Sequence, residues 1–158
     1  MADQINQDES GVIIELGGGT GSLTKGLLEA GIDPKRLLIF EVNPQMSKVL
    51  KKNFPECQVL NKSATHLSQV LREHNIHDVN CIVSGLPLLS LPSYIRDKII
   101  LNIFKVLKPH QKFIQFTYSW KSPLPPKTAE HATCKGKAVG KVWGNVPPAT
   151  VWTFSKNK

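Results

Sequence analysis

The feature that most limits what this chain can become is the run Glu15-Leu16-Gly17-Gly18-Gly19-Thr20-Gly21, set between an apolar segment and an amphipathic one. Gly11–Glu15 (GVIIE) reads as a short buried strand. Ser22–Ala30 reads as a helix with Leu23, Leu27 and Leu28 on one face, stopped by Gly31. A glycine-rich strand-to-helix turn belongs to open α/β sheets, where it lies beyond the carboxyl end of the strand and holds a ligand. Glycine suits such a turn because it bends tightly and lets a ligand approach the backbone where a Cβ would block it. Two common phosphate binders are excluded. A dinucleotide loop, GxGxxG, needs glycine at its sixth position, but counting from Gly17 gives Ser22 and counting from Gly19 gives Thr24. No Gly-Lys-Ser/Thr follows either, so the run is not a P-loop.

The rest of the chain repeats the alternation without an internal repeat. Leu37–Phe40 reads as a second strand and Pro44–Asn53 as a helix with Pro44 in its first turn and Met46, Val49 and Leu50 inward. Gln58–Leu60, Val79–Val83 and Lys112–Tyr118 read as strands, with helices at His66–His74 and Ser93–Leu107 between them. In the latter, Ile95, Ile99, Ile103 and Val106 share a face and Ser93 is the expected cap. After the proline-rich stretch Ser122–Pro126, Gly140–Trp143 and Ala149–Phe154 read as two strands joined by the turn Gly144–Pro148. Alternating strands and helices imply parallel strands with right-handed crossovers and helices on both faces. The fold class is therefore α/β: a doubly wound, mostly parallel, seven-stranded sheet closed by an antiparallel hairpin. At 158 residues there is room for one domain, residues 11–158, preceded by a polar tail of residues 1–10.

Two carboxylates frame the glycine turn. Glu15 lies on the strand entering it, and Glu41 stands at the tip of the next strand, where a carboxylate accepts hydrogen bonds from ribose hydroxyls. Elsewhere the chain offers little classical chemistry. Cys57, Cys81 and Cys134 are odd in number and never form a CxxC pair, which argues against a disulfide framework and a zinc site. His74 and His77 have ligand-like spacing but no third partner nearby, so no metal is expected. Charge is uneven: residues 1–104 sum to −1, whereas residues 105–158 hold ten lysines against Glu130 alone and sum to +9. A basic end on a neutral body suits a polyanionic surface, whether nucleic acid or anionic lipid headgroups, and equally suits a merely solvated lysine face. No apolar run approaches the roughly 20 residues that span a bilayer, and residues 1–10 lack the features of a signal peptide. The expected location is the cytoplasm.

Taken together, the ExGxGxG run and the acid at the next strand tip match the first two motifs of class I S-adenosylmethionine-dependent methyltransferases. A third stretch, Ser84-Gly85-Leu86-Pro87-Leu88, follows the fourth strand, where that fold faces the transferable methyl. With VSGLPLLSLP, FIQFTY and VWGNVPPATVW, the chain resembles bacterial phospholipid N-methyltransferases, which act on phosphatidylethanolamine, and more distantly the related rRNA adenine dimethylases. The resemblance covers roughly residues 11–154. It implies S-adenosylmethionine as cofactor, with Glu15, Gly17, Gly18, Gly19 and Gly21 forming its loop and Glu41 holding its ribose. It also implies that Ser84 borders the cofactor, and that Ser84 to Leu88, Pro87 among them, and Tyr118 border the reacting amine. Two positions depart from the family. Where members carry an acid after the third strand to hold the adenine amine, this chain reads Lys62-Ser63-Ala64, so Ser63 and Ala64 take that place. Members also carry a helical leader before the first strand; ten polar residues stand here, and an open site with weak cofactor binding is the expectation.

Transfer to an amine requires a neutral nitrogen, and Tyr118 or water is the expected proton acceptor. Tyr118 and Tyr94 are the aromatic candidates for stabilising the substituted ammonium formed later. Trp143 and Trp152 read as packing residues, and Trp120, beside Lys121, suits a lipid interface. Three functions stay open. One is a phospholipid amine methyltransferase, peripheral on the inner membrane surface through the basic C-terminal third. Another is an RNA or DNA base methyltransferase, disfavoured because no aromatic follows Pro87 to stack a flipped base. The third is a reduced, non-catalytic domain.

Overall fold

The computed structural model describes residues 1–142 and 149–157. Among the described residues its α-helices and β-strands are β1 (Val12–Leu16), α1 (Ser22–Glu29), β2 (Leu37–Phe40), α2 (Pro44–Asn53), β3 (Gln58–Leu60), α3 (Leu67–Glu73), β4 (Val79–Ser84), α4 (Ser93–Val106), β5 (Lys112–Thr117), α5 (Pro126–His131), β6 (Cys134–Val142) and β7 (Ala149–Lys156). The strands form one seven-stranded sheet in the order β3-β2-β1-β4-β5-β7-β6. Pairs among β1 to β5 are parallel, and β7 runs antiparallel to both β5 and β6. This is the doubly wound, mostly parallel sheet with an antiparallel closing pair that the alternation predicts. Its strand order reverses at β1, between β2 and β4. That topological switch point opens a crevice above the carboxyl ends of the strands, where such sheets bind ligands.

Side-chain alternation divides the core into two layers. Ile14, Leu16, Leu38, Phe40, Ile82 and Phe113 face one layer, under α3, α4 and α5. Ile13, Leu37, Ile39, Val83 and Ile114 face the other, under α1 and α2. Every residue of β2 and β4 is buried, as a parallel strand covered on both faces must be.

The differences from expectation have local causes. On α2, Ser47 and Leu50 are buried, whereas Met46 and Val49 are exposed. The helix turns its Ser47–Leu50 edge to the sheet after Asn43, whose side chain accepts from the amides of Gln45 and Met46, sets its start. Helix α4 starts at Ser93 with no side-chain cap. The proline-rich stretch leads into α5, where Pro126 occupies the first turn and the Thr128 hydroxyl donates to Asp97 of α4 at 2.9 Å. Strand β6 starts at Cys134, six residues before the expected start, because its lysines and glycines hide a strand from apolar periodicity. Trp143 and the turn Gly144–Pro148 lie outside the described residues.

Residues 1–10, read as a polar tail, are docked. Ile5 is buried in the layer under α1 and α2, with Met1 and Ala2 packed against it. The Asn80 side chain donates to the carbonyls of Asn6 and Glu9. The Arg36 guanidinium donates to those of Gln7, Glu9 and Gly11. Backbone groups in this segment are thus satisfied by side chains of the sheet side, which is what fixes an otherwise polar stretch.

Candidate active site

The glycine turn is built by hydrogen bonds to β2. The amides of Gly17 and Gly18 donate to Phe40 O at 2.9 and 3.3 Å, and the Gly21 amide donates to Gly18 O at 2.8 Å. Gly21 then caps α1 in the left-handed region, at φ 85°. The glycines serve different ends. A Cβ on Gly18 would meet Ile39 and Leu50 at 2.6 Å, so its bareness lets the turn lie on the layer below. At Gly19, φ is +52° and a Cβ would meet nothing within 4 Å. Gly19 therefore opens onto free space, and a side chain there would fill it.

Glu41 locks this turn. Its Oε2 accepts from the Gly19 amide and its Oε1 from the Asn43 amide, both at 2.8 Å. The carboxylate is nearly buried and held in one orientation, with lone pairs left over on each oxygen. Val42, the next residue, is an exposed valine at the rim of the turn. Glu15 is fully buried. Its Oε2 accepts from the Thr24 hydroxyl of α1 at 2.8 Å, while Oε1 has no partner among the described residues. Burial pushes the Glu15 carboxyl up to about 8, against the opposing Thr24 hydrogen bonds and with a further push from the Glu41 charge. An unsatisfied acid at this depth suits a cationic partner.

Two cavities meet at the carboxyl end of the sheet. One, of about 690 Å³, is lined by Gly17, Gly18, Gly19, Thr20 and Leu23, with Met1 and Ala2 forming one wall. The other, of about 620 Å³, is lined by Leu86, Pro87, Leu89, Thr117, Trp120 and Lys121. Gly85, Phe116 and Tyr118 border both. The Tyr118 ring stands edge-on to Phe116, with centroids 5.3 Å apart, and remains 55% exposed. Met1 and Ala2 thus stand on the side of the cavity that the sequence alone leaves uncovered.

The expected site residues thus separate into groups. Gly17, Gly18, Gly19, Pro87 and Tyr118 line the cavities. Gly21 and Glu41 shape the turn from behind it, and a Cβ on Gly21 would meet the Phe54 ring at 2.6 Å. Ser84 is fully buried, and its hydroxyl accepts from the Leu86 amide at 3.1 Å. It shapes the Gly85–Pro87 turn and lines neither cavity. Leu88 is buried in the core yet lines the floor of the second cavity. The Ser63 hydroxyl accepts from the Thr65 amide at 3.2 Å and pairs with the Thr65 hydroxyl at 2.9 Å, capping the turn Ala64–His66. Neither Ser63 nor the buried Ala64 lines either cavity. Tyr94 is exposed at the start of α4, away from both. His74 and His77 are exposed, and no cluster of metal-ligating side chains occurs among the described residues.

One organising residue escapes the sequence reading. Gln115 is fully buried in β5, and its Nε2 donates to Leu86 O at 2.8 Å and to Phe116 O at 2.6 Å. It ties the turn after β4 to the strand that carries Phe116 and Tyr118. The signal is a lone amide inside the apolar run FIQF, since a buried polar side chain must find partners.

No family model matches the chain. Over 109 residues it is 29% identical to the ornithine lipid N-methyltransferase of Singulisphaera acidiphila, covering 67% of this chain and 57% of that protein. Over 112 residues it is 29% identical to an uncharacterised methyltransferase-like protein of Schizosaccharomyces pombe, covering 71% of this chain and 40% of that one. The chain thus spans about half the length of these relatives. Among solved structures, it superposes on a TehB-like SAM-dependent methyltransferase from Corynebacterium glutamicum with a TM-score of 0.67 at 18% identity, covering 93% of this chain and 80% of that one. The magnesium protoporphyrin IX methyltransferase of Synechocystis, solved with bound SAM, gives 0.67 at 11% identity, covering 92% and 70%. The fold is that of the class I methyltransferases.

Proposed function

We propose that the protein is an S-adenosylmethionine-dependent methyltransferase whose acceptor is the amine of a lipid. The observation that carries this reading is the junction of the two cavities at Gly85, Phe116 and Tyr118. One lobe is lined by the glycine turn, with Glu15 and Glu41 buried behind it; the other is apolar and aromatic, and they share a wall where donor and acceptor would meet. The similarity to an ornithine lipid N-methyltransferase supports a lipid amine over other acceptors.

The residues present fit the cofactor. The unpartnered Glu15 Oε1 suits a ligand carrying an ammonium and a sulfonium, and the bare Gly19 leaves the space such a ligand needs. Glu41, held by two amides, keeps lone pairs for ribose hydroxyls without having to reorient. When bound, S-adenosylmethionine supplies an electrophilic methyl group. The protein's own contribution is positioning, which can lower a barrier by roughly 7–11 kcal/mol when reacting groups are held in line. Gln115 fixes the turn at Leu86 and Ser84 fixes its amide, so Gly85 and Pro87 present a rigid edge to the acceptor. Phe116 and Tyr118 border both lobes, where their ring faces could stabilise an ammonium. The Tyr118 hydroxyl is shared by both lobes, placed to accept a hydrogen bond from the amine and orient it while water takes the proton that the amine must shed. The protein would act at the cytoplasmic face of a membrane.

The test is methyl transfer from labelled S-adenosylmethionine to mixed vesicles holding ornithine lipid or phosphatidylethanolamine, beside an equal mass of RNA. Label in the lipid fraction is the expected result. Label in RNA alone would replace this reading with base methylation, and cofactor binding without transfer to either would leave a non-catalytic domain.

A further inference from the structure

Eight large hydrophobic side chains are exposed among the described residues, and three of them, Leu89 (43%), Tyr118 (55%) and Trp120 (71%), line the mouth of one cavity, the acceptor lobe. Trp120 carries a cation on its face: Lys141 Nζ lies 4.0 Å from the ring centroid. Lys121 completes the rim, and among the described residues no acidic side chain lines this lobe. Strand register explains why Lys141 is here. Thr117 of β5 pairs with Thr150 of β7, and Lys141 of β6 pairs with the same Thr150, so Lys141 sits level with the carboxyl end of β5.

A second basic patch lies elsewhere. His110, Lys112, Lys135 and Lys137 line a separate groove. Phe113 and Gly136 both pair with Phe154, which sets this groove at the amino end of β5, roughly 13 Å down the strands from the acceptor mouth. Part of the excess charge of the C-terminal third therefore sits at two ends of the sheet, and of these two patches the rim at the mouth is the one that combines it, among the described residues, with exposed indole and leucine.

We infer that Leu89, Trp120, Lys121 and Lys141 form the surface by which this protein docks on an anionic bilayer, with the acceptor lobe opening into the headgroup layer. The inference rests on the lipid-amine reading of the same lobe. Indole rings favour the interface between headgroups and acyl chains, leucine enters the apolar side, and lysines reach back to anionic headgroups. An acceptor lipid can then enter the lobe from the layer without being extracted through water. The lysine groove at the far end takes no part in docking, because engaging it would turn the acceptor mouth away from the membrane.

Sedimentation of the full chain with vesicles of phosphatidylcholine plus graded phosphatidylglycerol tests this without turnover. Binding is expected to rise with phosphatidylglycerol and to fall with salt. Trp120→Ser combined with Leu89→Ser should weaken it about tenfold. Lys121→Ala should weaken it about fivefold. The pair Lys135→Ala and Lys137→Ala should leave it unchanged, and S-adenosylmethionine affinity, measured alongside as a check on folding, should be unaffected in the Trp120/Leu89 variant. Equal vesicle binding by wild type and the rim variants, or a loss confined to the Lys135/Lys137 variant, would overturn the docking surface. Either result can hold whether or not lipid is methylated in the transfer assay, so the two proposals fail separately.

Discussion

The two lobes of the site are built in opposite ways. In the β1–β2 half, each functional group is fixed before any ligand arrives: Glu41 is held by two amides, Glu15 is buried against Thr24, and the turn is hydrogen-bonded to Phe40. In the β4–β5 half the scaffold is fixed, through Gln115 and Ser84, but the side chains at the mouth stand in solvent. The difference suits the ligands proposed for the two lobes. A small polar ligand of constant shape rewards pre-set hydrogen-bond partners, whereas an acceptor delivered from a larger body needs an accessible apolar rim.

The contrast predicts that perturbations of the first half are large and those of the second small. The largest effect concerns Glu15. Its carboxyl ionises near 8 in the folded chain and near 4.5 when unfolded, so both states are protonated at low pH and folding is not penalised there. As pH rises from about 4.5 to 8 the unfolded state ionises first, and stability should decline by a few kcal/mol. Denaturant titrations across that range should show the decline in wild type and its loss in Glu15→Gln. A cation bound beside Glu15 would lower its pKa, so affinity for S-adenosylmethionine should rise with pH up to about 8, with proton release visible as buffer-dependent heat. Flat stability and flat affinity would show that Glu15 is already ionised, and would remove the polar imbalance from the first lobe.

Next in size is Gly19→Val. Its Cβ enters open space, so the fold should survive at a cost of about 1–3 kcal/mol from the positive φ, while cofactor affinity drops at least about 100-fold, or 2.7 kcal/mol. Thermal unfolding and calorimetry on the same sample separate the two quantities. Glu41→Ala removes acceptors from the amides of Gly19 and Asn43 and should weaken cofactor binding by about 1.5–3 kcal/mol, read by calorimetry. The smallest effect belongs to the second lobe. Trp120→Ala loses the Lys141 contact, worth about 0.5 kcal/mol at an exposed site, and should barely move the unfolding midpoint. A shift as large as that of Glu41→Ala would mean that the rim is structural.

The same division marks what the sequence discloses. In the first half, β2, α2 and β3 are legible to the residue, since apolar runs are short, proline and asparagine mark helix starts, and the glycine turn is dense in signal. What stays hidden there is orientation. Met46 and Val49 look inward by composition, yet only the Asn43 cap and the packing of Leu50 decide which edge of α2 meets the sheet. In the second half, β6 is masked by Lys135, Lys137 and Lys141, which suit the outer strand of a sheet but erase the apolar alternation. Ser84 and Ser63 show a different limit. A serine at a family's functional position is indistinguishable in sequence from one that caps a turn, and here both hydroxyls serve backbone amides. The docked segment of residues 1–10 was illegible because its anchor lies in Arg36 and Asn80, distant in the chain.

In the proposed function the glycine turn, backed by Glu15 and Glu41, forms a cofactor lobe whose reacting end abuts Tyr118. A crystal structure of the chain with S-adenosylhomocysteine tests it most directly. The prediction is a ligand in the cavity beside Gly19, with its ribose hydroxyls on Glu41, its amine toward Glu15 and its sulfur facing Gly85 and Tyr118. A ligand bound elsewhere, such as the groove between Gln7 and Asp78, or turned so that its sulfur points away from Tyr118, would contradict it.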